Sequence, residues 1–146
     1  MEKDAIKVID RNKNEKELQQ MYARTEHWIS DYTFFKDEIH FLVNLLDRYF
    51  IGAIVADAEQ SKLLQSHAQK LTELDKERES IAQENQKTLV YIAQLLKNKI
   101  PYNPEEFREE YADIENAQAG FLKRYREIKN KIFNMSSQLQ QQASKS

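Results

Sequence analysis

Leu18, Thr25, Tyr32, Ile39 and Leu46 recur every seven residues, and Met21, Trp28, Phe35, Leu42 and Tyr49 form a second row offset by three. Two such rows make one continuous stripe along an α-helix, whereas in a strand they would scatter over both faces. Held from Leu18 to Tyr49, the pattern predicts a long helix over residues 15–51, packed lengthwise against others. Asn14 followed by Glu17 reads as a cap with its reciprocal glutamate. Gly52 reads as the left-handed residue that closes the helix.

The same double row returns twice. Leu64, Leu71, Arg78, Asn85 and Ile92, with His67, Leu74, Ile81, Thr88 and Leu95, predict a second helix over 57–99. Asp57 is its cap, and it stops before Pro101, because the residue ahead of proline avoids the helical region. Tyr111, Gln118, Tyr125, Ile132 and Leu139, with Phe107, Ile114, Phe121, Ile128 and Met135, predict a third over 104–138. Asn103 caps it, Pro104 takes its first position, and Glu105 and Glu106 load its first turn with negative charge. Acids crowd its first half and bases its second, which complements the helix dipole.

Composition agrees. The 146 residues hold 2 glycines, 2 prolines and no cysteine. Sheets and phosphate-binding loops need turn residues that this chain lacks, and disulfides and sulfur-ligated zinc are excluded. A net charge of -2 on a 32% charged chain suits solvated helix faces and not nucleic-acid binding. No apolar run has the length of a signal peptide or a membrane span, so the expected setting is soluble and cytoplasmic. The expected architecture is all-α: an antiparallel up-down-up three-helix bundle with long, coiled-coil-like helices over 15–140. Residues 1–14 form a short helix or a disordered segment, and 141–146 a frayed polar tail.

Folding the chain at its two connections aligns the rows into levels. Leu18, Ile92 and Tyr111 share one; Trp28, Ile81 and Phe121 another; Phe35, Leu74 and Ile128 lie next to it; Ile39, Leu71 and Ile132 form a fourth. Two levels are polar. Thr25, Asn85 and Gln118 should meet, and Arg78 should lie between Tyr32 and Tyr125, stacked on their rings and paired with Asp31 or Glu38. One polar layer penalises slipped helix pairings, as a buried Asn does in coiled coils; the same layer can instead be a small cavity for a ligand.

His67 falls at a core position near Leu42 and Met135. Histidine with methionine across a bundle resembles the axial ligation of four-helix b-type cytochromes, although this chain offers three helices. The plain alternative is a core histidine. No Glu-x-x-His, P-loop, glycine fingerprint or nucleophile elbow is present. We therefore expect no enzyme, no metal and no cofactor.

His27, Phe34, Phe41 and Arg48 lie on one line of the first helix, on the side facing away from its rows. Two phenylalanines there are out of place on a charged surface. Tyr22, Ile29, Val43, Leu45 and Phe50 widen the apolar side of this helix. Three coverings fit: the segment around residues 5–9 folded back, a second copy of the chain, or a helix of a different protein. A protein–protein interaction module is thus the first functional reading. A small-molecule or cofactor binder using the polar layer or His67 is the second.

Glu26-His27-Trp28-Ile29, followed by a long second helix, resembles the first helix of a spectrin repeat. The helices here are longer, and Phe121 stands nearest to that family's second tryptophan. The three-rod layout is similar to the N-terminal regulatory domains of syntaxins.

Overall fold

The computed structural model describes the backbone of residues 2–53 and 58–145 and the side chains of residues 11–49 and 58–138. Three helices make up nearly all of it: α1 (Glu2–Ala53), α2 (Ala58–Leu96) and α3 (Pro104–Lys145). They pack into an all-α three-helix bundle with no strand among the described residues.

Every buried side chain among the described residues stands in one of the seven-residue rows. Each full burial of a large apolar side chain contributes roughly 1.5–3 kcal/mol. One core cluster joins Leu18 and Met21 to Ile92, Leu95, Phe107 and Tyr111. The early part of α1 therefore shares a level with the end of α2 and the start of α3, which sets the up-down-up course. The second cluster holds Ile39, Leu71, Leu74, Phe121, Ile128 and Ile132, with Trp28, Phe35 and Ile81 packed against it. Leu139 lies outside the described side chains.

α1 begins at Glu2, ahead of the start that Asn14 and Glu17 suggest. No glycine or proline interrupts residues 2–51, and a capping residue can be carried inside a helix at a cost of only a few tenths of a kcal/mol, ~0.5. Ile9 and Phe34 are thus on one rod, about 37 Å apart along its axis. That separation leaves no route for residues 5–9 to fold back over the aromatic line. Gly52 is helical, one residue short of the end. Asp57 lies outside the described residues.

The α2–α3 connection is built by its own hydrogen bonds. Asn98 takes a left-handed conformation with φ 56°. Lys99 N–H donates to the Gln94 carbonyl at 3.0 Å, and Asn98 N–H to that of Leu95 at 3.1 Å. This double closure ends α2 at Leu96, short of residue 99, with asparagine in the place glycine usually takes. Ile100 and Tyr102 then tuck against the first core cluster. Asn103 Oδ1 accepts from Glu106 N–H at 3.3 Å, which makes Asn103 the cap of α3. A β-branched residue resists φ 56°, so Asn98→Val should cost about 1–2 kcal/mol in urea unfolding. Asn98→Gly should be tolerated at the same site.

Candidate functional site

The two apolar clusters are separated by a polar level. Asn85 is fully buried and Gln118 nearly so. Gln118 Nε2 donates to Asn85 Oδ1 at 2.6 Å, and Asn85 Nδ2 returns a longer bond to Gln118 Oε1 at 3.4 Å. The α2–α3 contact at this level is therefore a reciprocal amide pair. Thr25, also fully buried, bonds elsewhere. Its hydroxyl donates to the Met21 carbonyl at 2.7 Å, the usual recourse of a threonine inside a helix. The Tyr111 hydroxyl lies 3.1 Å from Thr25 Oγ1 and donates to the same carbonyl at 3.1 Å. Trp28 stacks on the Tyr111 ring with centroids 5.4 Å apart, and packs against both clusters.

Arg78 is buried, and its Nε donates to Asp75 Oδ1 at 2.8 Å, one turn back on α2. Asp75 replaces the expected partners Asp31 and Glu38, and Glu38 instead pairs with Lys129 of α3 at 2.7 Å. Tyr32 and Tyr125 do not cradle the guanidinium. Tyr32 packs on Phe35 and Phe121, and the Tyr125 ring lies 5.7 Å from Lys129 Nζ. Both tyrosine hydroxyls are buried without a protein partner. Burial, reinforced by Glu77 and Asp31, pushes the Tyr32 hydroxyl well above its ordinary range.

His67 is buried and its Nδ1 has no protein partner. Burial, then the charges of Lys70 and Lys131, lower its pKa from the ordinary 6.5. The fold thus favours the neutral imidazole. Among the described residues no three His, Cys, Asp or Glu side chains gather as a metal ion would require.

Between α1 and α3 runs a ladder of ion pairs that the apolar rows do not indicate. Glu17 receives two bonds from Arg108, at 2.7 and 3.1 Å. Arg24 meets Glu115 at 2.9 Å, and Glu38 meets Lys129 at 2.7 Å. Each rung joins residues 91 apart, a whole number of heptads. Across the α2–α3 edge Arg124 bonds Glu77. The Arg108 and Arg24 rungs are screened by solvent and the Glu38–Lys129 rung is more enclosed, so the ladder mainly orients the helices and adds little stability. The available signal was opposite charges flanking the rows at a constant multiple of seven.

Outside, His27, Phe34, Phe41 and Arg48 are all exposed. Phe34 and Phe41 are 58% and 56% accessible, among the most exposed large apolar side chains described. Tyr22, Val43 and Leu45 instead lean half-buried on the core, and the Phe50 side chain lies outside the described residues. Phe133 on α3 is also exposed, at 42%, with Lys129 Nζ 5.9 Å from its ring centre.

The features together define a three-helix bundle with a buried amide pair, a few unpartnered interior polar atoms and an outward aromatic line. Comparison with protein-family models, curated proteins and solved structures finds no match. No helix among the described residues is long and apolar enough to cross a membrane.

Two outcomes test the interior. Gln118→Leu should cost about 1–3 kcal/mol in urea unfolding, because it strands the Asn85 amide. Adding Asn85→Leu should recover most of that loss, giving a clearly non-additive cycle. For His67, the unfolded chain binds a proton near pH 6.5 while the folded chain resists it until lower pH. Its contribution to stability is therefore intact above 6.5 and declines as pH falls below that value. His67→Leu should flatten the melting temperature between about pH 7.5 and pH 5 relative to the parent chain.

Proposed function

We propose that this chain is a non-catalytic helical-bundle module that acts by protein–protein contact along the outward line of α1. Phe34 and Phe41 carry the proposal: two exposed rings one heptad apart, on the side of α1 turned away from the core. Covering both removes apolar surface from water, and their spacing fits another helix laid alongside. His27 and Arg48 bracket the rings with polar contacts. Coiled-coil-like packing of long helices presents such a line as a straight edge, and a cytoplasmic setting fits the absence of cysteine.

The second reading, a small-molecule or cofactor binder, draws its support from the unpartnered Nδ1 of His67. The polar layer lends it little, since Asn85 and Gln118 bond each other and Arg78 bonds Asp75.

Replacing Phe34 and Phe41 by Ser should leave the circular dichroism spectrum unchanged and stability within about 0.5 kcal/mol. Self-association in sedimentation, or capture of a partner in a pull-down, should be lost. If neither changes, α1 is not the contact surface.

A further inference from the structure

We propose that the open edge of the Arg78 guanidinium is a binding site for a small monocarboxylate with an apolar body, seated in the groove between α1 and α2. The site is independent of the outward line of α1. It deepens the small-molecule reading, on which it rests, by giving that reading a place other than His67.

Arg78 stands in an inward row of α2, where an apolar side chain would serve the core as well. A guanidinium is a fixed fork of N–H donors, and taking it out of water is costly unless those donors are bonded. The side chain is 8% exposed, and its Nε–H reaches Asp75 at 2.8 Å. That bond occupies one side of the fork. The two Nη atoms have no partner among the described residues, and unlike the hydroxyls of Tyr32 and Tyr125 they are not sealed from solvent. They open into a groove of about 320 Å³ that Arg78 lines. A fork held from one side by a carboxylate and open on the other is set to receive a second carboxylate through two parallel N–H bonds.

The rest of the groove narrows the ligand class. Lys36 of α1 and Gln83 of α2 bring an ammonium and an amide to it. Lys36 has no ion-pair partner among the described residues. Asp75 beside the guanidinium and Glu79 on the groove wall weigh against a doubly charged anion. Ile29, Tyr32 and Ala82 make part of the lining apolar, which favours carbon atoms on the ligand. Together these features select a singly charged carboxylate with a short hydrocarbon body over phosphate or sulfate.

The test is a titration of the isotope-labelled full chain with butyrate, followed by NMR, with sodium chloride at equal ionic strength as the control. Saturable shifts should gather at the Arg78 Nε–H and at the backbone amides of Lys36 and Gln83, with Kd on the order of 1 mM. Arg78→Lys keeps the charge and loses the fork, and should weaken binding about tenfold. Lys36→Met, on the surface of α1, should weaken it about threefold with the circular dichroism spectrum unchanged. Sulfate should bind about tenfold more weakly than butyrate. Shifts that gather at His67 instead overturn the Arg78 site and leave the small-molecule reading standing. No saturable shift by about 50 mM butyrate overturns the site, with water serving the Nη edge and His67 as that reading's remaining support. Binding undiminished by both Arg78→Lys and Lys36→Met overturns it equally. Sulfate binding as tightly as butyrate overturns the monocarboxylate as the ligand class.

Discussion

Removal of the seven-residue rows from water is the interaction on which everything else here depends. Helices in isolation gain little in water; tertiary burial of an apolar face stabilises them. In this chain the rows are almost the whole interior, since no other described position is buried. In a core that narrow a polar group is stabilised where a partner comes within reach, from a neighbouring helix or from one turn back on its own, as for Arg78 and Thr88. Asn85 and Gln118 satisfy that condition directly, and Thr25 and Tyr111 satisfy it through the Met21 carbonyl. The consequence is a core in two apolar parts with a hydrogen-bonded partition, spanned by the ring of Trp28.

That partition separates two questions that the sequence joins. Polar residues at interior positions suggest a ligand, but here Asn85 and Gln118 bond each other, Thr25 joins Tyr111, and Arg78 and Thr88 bond partners on α2. The aromatic line outside has no such internal partner. Functional weight therefore moves from the interior to the surface, and within the surface to the α1–α3 side. There exposed phenylalanines lie beside the most open helix pair of the bundle.

Much of this was legible from period alone. A row at helical spacing constrains burial directly, so Arg78, His67 and Asn85 could be placed inside despite their polarity. Asn103 was legible as a cap because Pro104 and two glutamates follow it. Hydrogen-bond partners were not. Arg78 bonds Asp75, which one helical turn holds within reach, and Glu38 pairs with Lys129 instead. Thr25 had Tyr111 or the amides to choose from, and a difference of one turn decided it. The start of α1 was hidden because Asn14 and Glu17 can cap a helix or continue one, and nothing before them breaks the chain. Asn98 did the work of a glycine, a substitution that only its φ reveals.

The order of signs along the ladder has a consequence for frame. Apolar rows repeat every heptad and would tolerate α3 sliding by one repeat against α1. If α3 slides so that Arg24 comes opposite Arg108, Asp31 comes opposite Glu115, and two rungs become repulsions. Sliding the other way sets Glu17 against Glu115 and offers only Asp31 with Lys129 in return. The exposed charges, each weak, thus act as a vernier that marks one alignment of a periodic core as the native one.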